Sequence, residues 1–400
     1  MQVGPYRFLL RTGLVLLPVL ALMLACEALL WSLGESVPVR RVATRHLPHE
    51  GSPAAYMPWF FSQQFNLFHF ERVKRLRPAL LILGSSHVTR FRQEMFNSDA
   101  GFYNSGRTIG ALGDLEQYLD ACDALGYAPK TMLLGVDHFW LNNSVPQRGV
   151  FKKEIGNDET LDPKAHLTAY GRVLDSARAG RINATLIRAV MDRRDEGVKR
   201  YGLTAWLSAG LRNDGSNQNF DRSTPEAYTN LLPATVEAVL QGHRQKNRPI
   251  LAPGTAVDPA LLRRLEAVLI KFQQRGTRII GFIPPMAGEV RRLYANHPQH
   301  YGVFADFREK VPALFRQHGW PLFDGSDPAS VGLDDRCMKD EDHAQETYHV
   351  ALLRELGRDA SLGAALSINT NYLQSLLVDA GTTVWFPNYP RQPAALSRVN

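Results

Sequence analysis

The chain has little cysteine: three residues in 400, Cys26, Cys122 and Cys337, none in a CxxC pair or a Cys/His ligand pattern. That excludes a disulfide scaffold and points away from a structural metal site. Blocks of like charge are also missing. The balance of 46 basic against 39 acidic residues leaves +7, but the basic residues are scattered and no nucleic-acid-binding arm can be read from them. No repeat period organises the 31 glycines and 24 prolines, so collagen-like and low-complexity chains fall away. With 44% hydrophobic and 21% charged residues, the chain is neither disordered nor a bundle of membrane helices. Its length allows two or three domains, or one large α/β unit with insertions.

One long apolar run is present, from Thr12 to Leu33, interrupted only by Pro18, Cys26, Glu27 and Ser32. At ~1.5 Å per residue it makes about 33 Å of helix, enough to cross a hydrocarbon core of roughly 30 Å. It is too long for the apolar region of a cleaved secretory signal. Met23-Leu24-Ala25-Cys26 loosely matches a lipoprotein cleavage box, but the apolar stretch continues to Trp31. We therefore expect an uncleaved membrane anchor over 1–34, with Glu27 near the exit interface, where a carboxylate costs less than at the bilayer centre. Arg7 and Arg11 before the run nearly balance Arg40, Arg41 and Arg45 after it, so flanking charge sets no orientation.

Residues 35–77 mix proline, histidine and aromatics without a steady period and read as a stalk. Ala79 to Leu83 is then a short continuous apolar run, the pattern of a strand buried on both faces. It ends at Gly84-Ser85-Ser86-His87, and a helix is expected around Arg90 to Phe96. A second strand at Phe102-Tyr103-Asn104 leads through Ser105 to Gly110 into a helix that places Leu112, Leu115, Tyr118, Leu119, Cys122 and Leu125 on one face. A third strand, Thr131 to Val136, ends at Asp137-His138. This rhythm means βαβ units and a parallel sheet. Residues 142–252 break it with a polar, mostly helical stretch, including the turn-rich Arg212 to Asn217, and read as an insertion or cap. The rhythm resumes with a helix from Pro259 to Arg275, a strand from Arg278 to Ile283, a helix around Phe304 to His318 and a strand from Pro321 to Asp324. After Asp340-Glu341-Asp342-His343 comes a helix from Ala344 to Leu356, stopped by Gly357. The α/β domain thus spans 78–141 and 253–360, followed by a C-terminal extension, 361–400, with a short helix at Tyr372 to Val378.

In an open parallel sheet, ligands bind outside the carboxyl ends of the strands. Ser86 is then a candidate nucleophile, placed at the amino end of the next helix, where the dipole favours negative charge. A serine hydroxyl needs a base and a carboxylate that orients the base. His343, with Asp340 three residues before it, meets that need. Ser105 is the rival nucleophile. Neither Gly-Ser-Ser nor DxxH is specific by itself; their order and strand-end context carry the reading. Among the neighbours, His87 either meets substrate or starts a helix, His138 and Trp140 either line the cleft or pack in the core, and Arg107 either binds an anionic substrate group or forms a surface ion pair. Asp214 and Ser216 read as turn formers, Cys122 as core, and Cys337 as a thiol near the site with no sign of activation.

Leu81-Ile82-Leu83-Gly84-Ser85-Ser86, Asn104 to Gly110, and Asp340-Glu341-Asp342-His343 together resemble blocks of the SGNH hydrolase superfamily. Within it, they resemble a membrane-anchored branch that includes D-alanyl transfer proteins of the DltD type and alginate O-acetylation proteins. The resemblance covers about Leu80 to Asp137 and Thr277 to Leu356. It implies a three-layer α/β fold with a central parallel sheet, a mostly helical insertion and one N-terminal transmembrane helix. It implies Ser86 as nucleophile, His343 as base, Asp340 as its partner, and an oxyanion hole of the Ser86 and Gly106 backbone N–H groups. Asp137, His87, Asn104, Arg107 and His138 are the candidate lining residues. The chain departs from the pattern twice. Ser85 replaces the usual Asp, as in the DltD-like branch. Gly135-Val136-Asp137 stands where a Gly-x-Asn block supplies an oxyanion donor, and an ionised carboxylate cannot donate. Either Asp137 is protonated, or Asn104 or another donor substitutes, or acyl transfer is slowed or lost; one missing donor costs about 10²- to 10³-fold.

The implied function is that of a serine acyltransferase or esterase, single-pass in a bacterial-type inner membrane with its main domain periplasmic. It would act on O-acetyl groups of an envelope or exported polysaccharide, or on an acylated small molecule, beside a membrane-bound O-acyltransferase partner, and would need no metal or organic cofactor. Two alternatives stay open: a catalytically inactive SGNH-like module that binds glycan or scaffolds an acylation complex, and a lipase or thioesterase.

Overall fold

Leu80–Leu83 forms the first strand, β1, and Leu81, Ile82 and Leu83 are fully buried in the computed structural model of the chain. Each such side chain contributes about 1.5–3 kcal/mol relative to exposure. The structure describes residues 5–44, 55–61, 64–97, 99, 101–192, 200–206, 210–218 and 249–379. Four more strands follow β1: β2 (Phe102–Ser105), β3 (Thr131–Gly135), β4 (Arg278–Ile283) and β5 (Leu322–Asp324). They form one parallel sheet in the order β2-β1-β3-β4-β5. The protein is therefore a mixed α/β protein, as the alternation of buried apolar runs with helical periods requires.

The register decides where the site lies. Leu83 pairs with Ser105 on one side and with Leu134 on the other. The residues that leave β1, β2 and β3, namely Gly84 to Ser86, Gly106 and Val136-Asp137, therefore emerge at the same edge of the sheet. From β1 the chain moves outward to β2 and then returns to the other side as β3, so the ends of β1 and β3 flank a topological switch point.

The expected helix around Arg90 to Phe96 is not formed. Two 3₁₀ turns, Ser86–Val88 and Gln93–Met95, stand there instead. Side chains take the backbone groups that an α-helix would use: Asn104 Nδ2 donates to Val88 O and Phe91 O at 2.8 and 2.9 Å, and Asp214 Oδ2 accepts from Gln93 N at 2.8 Å. The Asp214 turn closes tightly. Gly215 has φ +82° and would place a Cβ 1.9 Å from Asn104 O, so a side chain there is excluded. The last expected helix runs through Gly357, as Glu346–Arg358, and a helix at Thr370–Asp379 covers the short one expected in the C-terminal extension. The remainder of that extension, from residue 380, lies outside the described residues.

The described residues fall into two compact units, and the expected boundaries shift accordingly. One unit lies within Met1–Gln64 and Asp158–Asn213, the other within Phe65–Asn157 and Asp214–Tyr389. The carboxyl end of the expected stalk is in fact a core helix of the sheet unit, Phe65–Leu76, with Leu67, Phe68 and Val73 fully buried. The expected 142–252 insertion is likewise divided between the units. Its first residues join the sheet unit because Phe151 is buried in the main core and Asp114 accepts the Val150 and Phe151 N–H groups. Residues 193–199, 207–209 and 219–248 of it lie outside the described residues.

In the other unit, the helix Pro5–Leu33 has one stretch, Leu9–Leu33, long and apolar enough to cross a membrane: 25 residues, containing an 18-residue window of mean hydropathy 2.4. Leu9 to Leu24 project exposed apolar side chains, whereas Cys26, Leu30 and Leu33 pack against Phe60, Phe61, Ala169, Val173, Leu203 and Trp206. Glu27 accepts from Tyr170 Oη at 2.9 Å and lies 2.9 Å from His166 Nδ1. Just beyond, the Glu35 carboxylate is 2% exposed and accepts from the Trp59, Phe60 and Leu203 N–H groups.

Candidate active site

Ser86 leaves the end of β1 as the first residue of a 3₁₀ turn, with Ser85 as its N-cap, so it does not sit at an α-helix terminus. Ser85 Oγ accepts from His87 N at 3.3 Å, and the β2 loop closes over this segment through Arg107 N to Ser85 O at 2.8 Å and Ile109 N to Gly84 O at 3.1 Å. Ser86 is part-exposed and its Oγ lies 2.7 Å from His343 Nε2, across 257 positions of sequence.

His343 sits in a narrow turn closed by Lys339 N to His343 O at 2.6 Å and Gln345 N to Cys337 O at 2.7 Å. Asp340 Oδ1 accepts from the backbone N–H groups of Asp342 and His343, which folds its carboxylate back onto the ring; Nδ1 of His343 is 2.8 Å away. A carboxylate only accepts, so Nδ1 carries the proton and Nε2 is left to receive one from Ser86. The structure thus brings Ser86, His343 and Asp340 together.

Asp342 is a second carboxylate on the same imidazole, with Oδ1 2.9 Å from His343 Nδ1. Its other oxygen, Oδ2, lies 3.2 Å from His87 Nε2, and His87 Nδ1 makes a 2.6 Å hydrogen bond with Asp137 Oδ1. The two Asp342 contacts have ion-pair distances but lie off the hydrogen-bond direction, whereas the His87–Asp137 contact is a hydrogen bond. Burial alone would raise the Asp342 carboxyl; the imidazoles of His343 and His87 outweigh it and hold the group well below the usual carboxylate range. Burial also works against a charged His343, but Asp340 and Asp342 outweigh it, and the ring titrates above its ordinary value. The same opposition, won by Asp137 and Asp342, places His87 well above the usual histidine range.

Several expected lining residues do something else. Gly106 N donates to Asn104 Oδ1 at 2.8 Å, so that N–H is spent within the loop, and both amide hydrogens of Asn104 go to Val88 O and Phe91 O. Of the donors named from sequence, the Ser86 N–H alone is without a partner among the described residues. His138 is core: its ring lies among Phe139, Tyr294, Phe304 and Phe307, its Nε2 faces Ile250 O at 3.3 Å, and burial lowers its pKa to about 4. Trp140 is fully buried. Ser105 is sealed, 3.0 Å from Thr108 Oγ1, which removes it as a nucleophile. Arg107, at φ +65°, lays its guanidinium 4.0 Å over the Phe65 ring rather than forming a surface ion pair. Burial pushes the Cys337 thiol up to about 12, so it is not an activated nucleophile.

Asp342 and the full role of His87 were missed at the level of sequence. The signal was available: Asp342 adjoins His343, and the unusual carboxylate at 137 calls for a cationic neighbour. Donor atoms of His87, Asp342 and His343 lie within 4.8 Å of one another. Both Nδ1 atoms are already engaged by carboxylates and His343 Nε2 by Ser86, so the group is a hydrogen-bonded and ion-paired chain rather than a ligand set. Comparison of the chain with protein-family models, with curated proteins and with solved structures finds no match.

Proposed function

We propose that the chain is a serine acyltransferase or esterase of SGNH type, anchored by Leu9–Leu33 with its main domain extracytoplasmic, acting on O-acetyl groups of an envelope or exported polysaccharide. The observation that carries this reading is the Ser86–His343 contact of 2.7 Å, with a carboxylate on the opposite ring nitrogen. The motif order, the strand-end position and the block resemblance support it. The substrate class, the three-layer SGNH architecture and a membrane-bound O-acyltransferase partner rest on the resemblance alone.

In this mechanism Ser86 Oγ attacks the acyl carbonyl while its proton passes to His343 Nε2. The imidazolium then returns that proton to the leaving alcohol oxygen as the ester C–O bond breaks, leaving an acyl-Ser86 ester. An acceptor hydroxyl, or water, next gives its proton to His343, attacks the acyl carbon and restores Ser86. The Ser86 N–H faces the developing oxyanion. Acetyl esters are expected to turn over faster than long-chain esters in purified protein; the reverse order would make it a lipase or thioesterase. The periplasmic orientation is tested by a carboxyl-terminal alkaline phosphatase fusion, which is expected to be active and whose inactivity would sink the envelope role.

The base works only when neutral. Because His343 titrates above its ordinary value, the acid limb of kcat/KM is expected above pH ~6.5, with activity rising as pH increases through it. Asp340→Asn removes one charge that favours the imidazolium and is expected to move that limb to lower pH, measured with an acetyl ester.

One observation favours a second reading, an inactive glycan-binding or scaffolding module. Of the residues named for the oxyanion hole, Gly106 and Asn104 have spent their donors, and position 137 offers a carboxylate. Glycan binding that persists without any Ser86-dependent turnover would select it.

A further inference from the structure

We propose that His87 is a positioning residue for this chemistry: its imidazolium bridges the Asp137 and Asp342 carboxylates and holds Asp342 against Nδ1 of the His343 base. The inference rests on the serine-acyl reading and deepens it, since the base would then be oriented by two carboxylates, one of them dependent on a second histidine.

The geometry carries the argument. His87 Nδ1 is fixed by a 2.6 Å hydrogen bond to Asp137 Oδ1, and Nε2 is 3.2 Å from Asp342 Oδ2. Asp342 Oδ1 is 2.9 Å from His343 Nδ1, and the two imidazole centroids are 5.1 Å apart. The His87 backbone is held at both ends, its N–H by Ser85 Oγ at 3.3 Å and its carbonyl by His349 Nε2 at 2.9 Å. The side chain therefore has little room to turn away. His87, Asp137 and Asp342 are each less than a tenth exposed, and two carboxylates buried this closely need a cation between them. A neutral His87 could donate to only one of them; an imidazolium presents an N–H to each. The titratable groups facing His87 are Asp137 and His138 from the β3 loop, Asp342 and His343 from the turn, and His349 from the helix Glu346–Arg358. Of these, only the two aspartates carry opposite charge, and the raised titration of His87 agrees with their dominance.

The arrangement also explains the departure at position 137. Asparagine there would leave His87 Nδ1 facing an amide, which cannot compensate a buried imidazolium. The aspartate trades an oxyanion donor for control of the base.

The test is the rate at which a fluorophosphonate probe labels the detergent-purified full chain, measured across pH for wild type, His87→Gln and Asp137→Asn. This reads activation of Ser86 without any assumption about the natural substrate. Wild type is expected to give a bell, its acid limb set by His343 and its basic limb by loss of the His87 proton. His87→Gln should slow labelling by about 10- to 100-fold, the lower end of what a close buried charge pair is worth. It should also erase the basic limb and move the acid limb to higher pH, because Asp342 then acts on His343 uncompensated. Asp137→Asn should keep both limbs but move the basic one to lower pH. Labelling that depends on Ser86, with both limbs unmoved in both variants, would overturn the inference and leave the serine reading standing. No Ser86-dependent labelling of wild type would overturn the reading beneath it. Should His87→Gln fail to fold, Asp137→Asn alone decides.

Discussion

Ser86→Ala is expected to abolish fluorophosphonate labelling and to lower acetyl-ester turnover by roughly 10⁴-fold or more, the usual consequence of removing the nucleophile from residues that act as a unit. The substitution removes one oxygen that contacts His343 and leaves the surrounding fold untouched. The Ser86 carbonyl still accepts from Thr89 Oγ1 at 2.8 Å, and the Ser85 cap does not involve the lost hydroxyl. An unchanged unfolding midpoint would separate lost chemistry from lost structure. Labelling that survived in the variant would move the nucleophile elsewhere, and Ser105, sealed against Thr108, could not take it over without opening the β2 loop.

Asp114→Asn is expected to destabilise the protein by about 3 kcal/mol or more. This buried carboxylate, 3% exposed, accepts four backbone N–H groups: Gly110 and Ala111 through Oδ2, Val150 and Phe151 through Oδ1. An asparagine presents one oxygen and one NH₂, so whichever way it turns, a donor faces two donors. Orphaned buried N–H groups cost about 1–3 kcal/mol each. At roughly 2–4 °C per kcal/mol for a domain of this size, the unfolding midpoint should fall by about 6–12 °C. A fall of under about 2 °C in detergent-solubilised protein would show that the carboxylate is not the staple between the β2 loop and residues 150–151.

The parallel sheet was legible in the sequence because its strands are short, apolar and buried on both faces. Leu80–Leu83 and Thr131–Gly135 read as strands for that reason, and the loops that follow them hold Ser86 and Asp137. Less could be read where a side chain outcompetes local propensity. Arg90 to Phe96 has a helical look, but Asn104 and Asp214, distant in sequence, claim its carbonyls and amides. The same Asn104 removes Gly106 from the expected oxyanion hole through a local bond two residues apart, while its own amide hydrogens go to Val88 O and Phe91 O in the segment after β1. Asp342 was hidden differently. A DxxH spacing draws the eye to Asp340, whereas the adjacent carboxylate of Asp342 lies 2.9 Å from the same nitrogen. His138 shows the converse: it follows a strand at the right edge, yet its ring turns into an aromatic core.

The helix Pro5–Leu33 also has a practical side. Its last two turns supply Cys26, Leu30 and Leu33 to a folded interior, and Glu27 is bound by Tyr170. It behaves as a mast stepped into the hull rather than a leash tied to it. Cutting the chain after Leu33 to obtain water-soluble material would strip the cover from Phe60, Phe61 and Val173 and invite aggregation. The cut that spares the hull lies higher, between Leu24 and Cys26, where the outward-facing greasy shaft ends and the seated base begins.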